Sequence, residues 1–511
     1  MPGVVEADVC IVGAGVAGLF ASTALPEGVH VVVLDQGTVG QGSSPYAQGG
    51  MAAAVGSGDS PDRHLADTLA AGAGLVDRAA CRIMCREAPD RVRDLVELGC
   101  GFDRVEDGTL HLAQEGAQSV PRSVHRADAT GAEMVRALRA AAAPCVERVE
   151  GYAFKVAASD GLCVGVWALG PEGAFLVRAR ATLLATGGAG ALFASTTNPP
   201  ASTGAAIALA RGAGARLADL EFVQFHPTAL AVAESPRPLV TEAIRGAGAH
   251  LLDAEGRRFM VDVHPDAELA PRHVVTAAIL ARGRVFLDAR HLGAERLEEE
   301  FPTVLASSRE RGFDPVVEPL PVVPAAHYLI GGVVTDLEGR TSLPGLFAAG
   351  ECAATGVHGA NRMAGNSLAE AVVFGRRAAL ALAADLRGEA GDGRKARSGD
   401  EALEPGPGVA AAAAVPNEGR AERRRAIVAA VTEGAGPIRT AGAARSALER
   451  LDPLDPGPSP SDRDALETRT MVVAGRLLVR AALARAESRG THARSDHPDL
   501  DPALEGVHLA W

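Results

Sequence analysis

The 511-residue sequence predicts an α/β fold, a mainly parallel sheet wound by helices, interrupted by an α+β region and followed by helices. Three observations predict it. Short apolar runs alternate with Ala/Gly-rich stretches of helical composition in the first part of the chain. A glycine fingerprint stands at the first junction between them. From about Asp219 to His327 prolines and charges increase and the fingerprint is absent, and glycine-rich turns return at Gly345.

Taken in order, residues 8–12 form an apolar run that ends in a glycine turn. Residues 16–25 have helical composition and 29–34 are apolar again, which is a strand–helix–strand unit. Apolar runs at 181–185 and 345–349 read as further strands. The predicted division is a cofactor-binding domain at 1–219, a capping domain at 220–327 and the rest of the cofactor domain at 328–385. Residues 386–420 hold Gly, Pro, charges and an alanine run at 409–415, and read as a mobile linker. A C-terminal helical domain, 421–511, follows, with helices predicted at 423–451 and 461–488. The second has Ser461 as its N-cap, Asp464 three residues on and Gly490 as a stop. Its arginines Arg469, Arg476, Arg480 and Arg485 lie among Val473, Leu477 and Leu483, the pattern of an amphipathic, partly solvated helix.

Hydrophobic residues at 47% and charged residues at 22% exclude a disordered chain. A net charge of −13 argues against nucleic-acid or anionic-membrane partners, whose footprint is basic. Lys155 and Lys395 are the only lysines. The seven cysteines are scattered, and Cys81 and Cys85 stand four apart with no histidine cluster. Neither a disulfide framework nor a metal site is expected, which fits a reducing cytosol. No basic leader is present and no apolar run approaches the ~18 residues of a membrane span, so a cytoplasmic, membrane-free protein is expected.

Gly13-x-Gly15-x-x-Gly18, with Ala14, Val16 and Ala17 between, follows a predicted strand and opens a helix. The first glycine permits the turn, the second lets a pyrophosphate approach, and the third packs helix on strand in a Rossmann-like unit. Asp35, 17 residues after Gly18 and followed by Gln36, is placed to accept ribose hydroxyls. The fingerprint alone does not separate NAD from FAD. LLATGGAG, 183–190, runs a strand into Ala185, Thr186 and Gly187. GLFAAGECAATGVHGANRMAGNSL, 345–368, offers Glu351 to ribitol hydroxyls. Its helix start at Asn366, Ser367 and Leu368 can face the electron-rich pyrimidine end of a flavin.

With these segments the chain resembles the FAD-dependent fumarate reductase/succinate dehydrogenase flavoprotein group. YAQGG, FVQFHPTAL, RFM…ELAPR, PAAHY and HGANRM carry the resemblance across about 8–385, and ESRGTHARSDHP carries it across about 461–498. It implies that Ser43, Ser44, Gln48, Gly49 and Gly50 also touch FAD. Ser43 stands where succinate dehydrogenases carry the histidine bonded to the flavin, so non-covalent FAD is expected.

A desolvated dicarboxylate needs cations or strong donors at both ends. The resemblance supplies them as Gln224, His226, Thr241, His327 and the bidentate fork Arg362. It implies Arg272 as the catalytic arginine. Free arginine is too weak an acid to act alone, and Glu242 with Arg245 match the relay. Outside this context a pair three residues apart is more often an ordinary ion pair. Glu115 stands where the succinate enzymes have an apolar residue, and a carboxylate there can pair with an α-ammonium.

That choice points to the branch oxidising L-aspartate to iminoaspartate, the first step of NAD (quinolinate) biosynthesis. O2, giving hydrogen peroxide, or fumarate would accept the electrons. A soluble fumarate reductase is the alternative, and a non-catalytic flavoprotein subunit docking an electron-transfer partner is the third reading. Pathway logic alone suggests a transient contact with quinolinate synthase. Four positions depart from the group's pattern: Ala205 for an acid, Gln36 for Lys, Gly365 for Ser, and HVVTAA after Arg272 without a second arginine.

Overall fold

The computed structural model describes residues 3–36, 42–388, 419–457 and 462–511. A seven-stranded sheet forms the centre. Gly3–Val12 lies between Val31–Asp35 and Gly173–Leu184, parallel to both, so that Cys10 faces Val32 on one side and Thr182 on the other. Val146–Glu150 extends the sheet beyond Val31–Asp35, and Leu346–Ala348 lies parallel to Gly173–Leu184. The antiparallel pair Tyr152–Ser159 and Leu162–Gly170 completes it.

Alternation along the first strand sends its side chains into two cores. Val9 and Ile11 pack with the helices Val16–Thr23, Arg78–Glu97, Thr130–Ala142 and Asn366–Arg387. Cys10 and Val12 belong to the opposite core, which includes Ala205–Gly212 and apolar residues of the C-terminal helices such as Ile427 and Leu478. The C-terminal region thus covers one face of the cofactor sheet.

A separate four-stranded antiparallel sheet is built from Val223–Leu230, Leu320–Leu329, Val285–Asp288 and His250–Leu252. Its core, around Val240, Ile244, Val275 and Leu287, is closed by the helices Arg272–Arg282, Ala294–Glu300 and Pro302–Arg309. The last helix receives a cap from outside this layer. Asp128, just before Thr130–Ala142, accepts from the Thr303 and Val304 backbone N–H groups at 2.9 and 2.8 Å.

Four expectations for the C-terminal region are corrected. The single helix expected at 423–451 is two, Arg420–Ala435 and Ala441–Leu451. Gly436 and Pro437 interrupt it, since proline has no N–H to continue the ladder, and Thr440 Oγ1 restarts it by accepting from Ala443 N at 3.1 Å. The next helix, Arg463–Ala484, is capped by Asp462, which accepts from Ala465 N at 2.8 Å. Ser461 lies outside the described residues. The helix stops before 488, and Arg485 is not on a solvated face. It is fully buried, donating to Glu221 Oε1 at 2.6 Å, Glu487 Oε1 at 2.9 Å and the Val507 carbonyl at 2.8 Å.

Of the expected linker, 386 and 387 close the helix Asn366–Arg387 and Arg420 opens the next one. Residues 389–418 lie outside the described residues. Six cysteines are buried and Cys145 is exposed. Among the described residues no helix is long and apolar enough to cross a membrane.

Candidate active site

A cavity of about 470 Å³ opens at the carboxyl ends of the central strands. Gly13 to Ala17, Asp35, Gln36, Ser43, Ser44, Gln48, Ala185 to Gly187, Glu351, Ser367 and Leu368 all line it. Its shape depends on absent side chains. Gly13 has φ +116°, and a Cβ there would lie 2.3 Å from the Ala185 carbonyl oxygen. Gly18 lies beneath the cavity wall, where a Cβ would come 2.2 Å from the Gly13 carbonyl and keep the helix off the strand.

Four expected cofactor contacts stand apart from the cavity lining: Gly18, Gly49, Gly50 and Asn366. Asn366 is a correction. Its amide is turned inward, with Oδ1 2.8 Å from His64 Nε2 and Nδ2 donating to Thr68 Oγ1 at 3.0 Å. Its backbone N–H is bonded to the Met363 carbonyl at 3.4 Å. Of that helix start, Ser367 and Leu368 line the cavity.

The residues present fit a dinucleotide. The fingerprint turn leaves room for a pyrophosphate, and Gln48 Oε1 is buried at the wall with no partner. Asp35 is held at the far end by Arg148 at 3.1 Å. Glu351, pushed up to about 7 by burial, accepts from Leu329 N at 2.9 Å.

The expected dicarboxylate residues gather beyond the Ser367 end of the cavity, although only His327 of that set lines it. Gln224 bridges two arginines. Its Oε1 accepts from Arg272 Nη1 at 3.0 Å, and its Nε2 donates to the Arg362 carbonyl at 2.8 Å. Arg272 Nε donates to Glu242 Oε2 at 2.6 Å, and Arg245 Nη2 reaches Glu242 Oε1 at 2.9 Å. Burial pushes the Glu242 carboxyl up, but Arg272 and Arg245 outweigh it and hold the acid below its usual range. Arg245 also donates to the Glu268 carbonyl.

The His226 and His327 rings lie 5.1 Å apart. Burial, then the charge of Arg272, holds both well below the ordinary imidazole range, so both are neutral near pH 7. His226 Nδ1 accepts from the Thr228 backbone N–H at 3.2 Å, which places its proton on Nε2. His327 Nδ1 is 2.9 Å from Thr197 Oγ1. Thr241 caps the short helix Glu242–Gly246, its Oγ1 accepting from Ala243 N at 3.4 Å. Arg362 donates through Nη1 to Ser367 Oγ at 3.0 Å, and its Nε is buried and unpartnered. Burial, then Arg272, lowers Arg362 to about 10. An unpaired buried donor on a cation is what a carboxylate would satisfy.

Glu115 is buried, with Oε1 accepting from Gly50 N at 3.0 Å. A Cβ on Gly49 would lie 3.0 Å from its Oε2, and one on Gly116 would lie 2.3 Å from Glu242 Oε1. The loop is thus pressed between Gly49 and Gly50 on one side and Glu242 on the other. Burial, then the Glu242 charge, raises the Glu115 carboxyl. Gln118 orients the loop by accepting from Glu115 N at 3.2 Å and donating to Ser123 Oγ at 2.9 Å.

Sequence reasoning did not single out Gln118, Thr197, Asn198, Tyr328 or the buried acid Glu370. Tyr328 is the last residue of the quoted PAAHY and Gln118 stands three residues after Glu115, which was the available signal. Gly365 has φ +79°, and a Cβ there would lie 2.8 Å from Ala52, which accounts for glycine where a serine was expected. Ala205 lines the cavity without an acid.

Residues 8–368 match the family described as FAD binding domain, and residues 460–507 match the fumarate reductase flavoprotein C-terminal family. The L-aspartate oxidase of Streptomyces coelicolor is 45% identical over 99% of this chain and 91% of its own length. That of Caulobacter vibrioides is 45% identical over 96% and 94%. Among solved structures, a mutant E. coli quinol fumarate reductase superposes with a TM-score of 0.89 at 30% identity, covering 99% of this chain and 94% of its own. A quinol-fumarate reductase with menaquinol superposes with a TM-score of 0.86, also at 30% identity, over 99% and 98%. The chain is therefore an FAD-dependent oxidoreductase and belongs to the L-aspartate oxidase family.

Proposed function

We propose that this chain oxidises L-aspartate to iminoaspartate as the first step of NAD (quinolinate) biosynthesis, passing the electrons to O2 or fumarate. The observation that carries the reading is the buried Glu115 carboxylate set against the Arg272–Glu242 pair, an acid where a substrate ammonium requires one.

Arg362 and His327 grip one substrate carboxylate, and His226 Nε2–H with the Thr241 hydroxyl grips the other. Keeping both imidazoles neutral lets them donate hydrogen bonds without adding two more charges beside Arg272 and Arg362. Glu115 meets the α-ammonium, and its raised proton affinity suits a carboxylate that accepts the ammonium proton and leaves a neutral amine. FAD, when bound, supplies the two-electron acceptor. Burial of Glu115, His226, Thr241 and Arg362 excludes water and fixes their orientation before the substrate arrives, and His327 faces the cavity.

Ser43 supports non-covalent FAD, since its Oγ meets Ser202 Oγ at 2.9 Å and no imidazole stands there to attach a flavin. Acid precipitation of the purified protein should release all the flavin into the supernatant. A cytoplasmic location and a transient contact with quinolinate synthase belong to the same proposal. They are supported by the reducing-type cysteine pattern and by the hydrolytic lability of an imine product.

The test is turnover: purified chain with L-aspartate should yield peroxide in air and iminoaspartate. Fumarate reduction without any aspartate-dependent peroxide would overturn the reading. It would favour a soluble fumarate reductase, which the Arg272–Glu242–Arg245 relay would equally serve.

A further inference from the structure

Arg362 has a specific support beneath it. Its guanidinium carbon lies 4.5 Å from the centre of the Tyr328 ring, which itself lines the cavity. The ring is fixed by its hydroxyl, which donates to Glu370 Oε2 at 2.6 Å. Glu370 is buried on the helix Asn366–Arg387. It accepts two further hydrogen bonds, from Thr355 Oγ1 at 2.5 Å and His358 Nε2 at 2.9 Å. Thr355 and His358 belong to the turn that delivers Arg362. One buried acid therefore holds both the ring under the guanidinium and the backbone leading to it.

A buried carboxylate is costly, and an amide or an apolar group of similar size would fill the same space more cheaply. What the charge adds is polarisation. A phenol donating to a carboxylate carries more electron density in its ring, and a cation over that ring is held more strongly in a desolvated site. Burial and the Glu370 charge keep the Tyr328 hydroxyl protonated, so the donor persists across the working pH range.

We infer that Glu370, acting through Tyr328, is a positioning residue for substrate binding: it locks the Arg362 guanidinium in the orientation that presents its free Nε to a dicarboxylate. The inference rests on the reading of Arg362 as the carboxylate fork.

Succinate, a four-carbon dicarboxylate, is the probe, and its Kd is measured by titration calorimetry on FAD-saturated protein whose flavin content is checked from the visible spectrum. Tyr328→Leu should weaken succinate about 10- to 30-fold, the range for a desolvated cation–π contact. Glu370→Gln, which keeps the shape, should weaken it by about 3- to 10-fold. Tyr328→Phe should match Glu370→Gln, because both leave the ring and remove the ionic handle. In an Arg362→Lys background, which should itself bind poorly, neither change should add a further loss. Unchanged succinate affinity in Tyr328→Leu and Glu370→Gln, with Arg362→Lys impaired, overturns the positioning role alone. Fully additive losses in the Arg362→Lys background overturn it too, since the effect would then bypass the guanidinium. Normal binding in Arg362→Lys overturns the fork reading itself.

Discussion

On the proposed reading, Glu115 is where one residue separates two chemistries. An apolar side chain under Gly50 would serve a substrate with no nitrogen, whereas a carboxylate there is desolvated for a purpose. Glu115→Ala should lower kcat/KM for L-aspartate by about 2–4 kcal/mol, roughly 30- to 1000-fold, and leave fumarate reduction within a few-fold of the parent. Parallel peroxide and fumarate-reduction assays on one preparation check it, and equal losses in both would remove the assigned role. This acid was legible in the sequence because the surrounding motif fixed its place. The inward turn of Asn366 was not legible, because a side chain at a helix start points to whichever neighbour bonds it. His64 and Thr68 are roughly 300 positions away in sequence.

At the scale of the element, the helix Asn366–Arg387 shows how an N-terminus is left available. Gly365 before it contributes no side-chain cap, and the first side chain is tied down by His64. Burial holds His64 at about 4 against an ordinary 6.5. The unfolded chain therefore binds a proton between these values that the native chain refuses. The His64 contribution is complete above about pH 6.5 and is lost as pH falls toward 4, a change on the order of 3 kcal/mol. Glu221 and Glu351 run the opposite way. Burial raises both to about 7, so their contribution is present below pH 4.5 and fades as pH rises through 7. The comparison to make is between the parent and His64→Gln: melting temperatures taken from pH 7 to pH 4 should fall more steeply in the parent. The expected strands at 8–12, 29–34 and 345–349 were readable because apolar runs between glycine turns leave few alternatives. The break after Ala435 was overlooked although Gly436 and Pro437 announce it. Helical composition on either side masked the punctuation.

At the scale of the whole molecule, the C-terminal segment is tied to the site it does not line. Arg485 pairs with Glu221 and Glu487, and Arg489 grips Glu487 through Nε at 2.8 Å and Nη2 at 2.9 Å. Beyond them Gly490, with φ +53°, lets Thr491 donate through N and Oγ1 to the Ala360 carbonyl at 2.9 and 3.1 Å, two residues before Arg362. Arg485→Met would strand the buried Glu221 carboxylate, while Glu487 keeps Arg489, and should cost about 3–5 kcal/mol in denaturant unfolding. It should also raise KM for aspartate more than it lowers kcat, because the Ala360 anchor loosens. Composition suggested a solvated helix here. A buried ionic cluster has the same residue types as a solvated face, and only long-range partners such as Glu221 tell them apart.

The burial of six thiols and the exposure of Cys145 give the protein a chemical clock of its own. A colorimetric thiol reagent should titrate one equivalent at once and the remaining six only as fast as the native packing opens. Because Cys10 and Cys352 sit in the cofactor core, that slow phase should lengthen on adding FAD to the flavin-free protein.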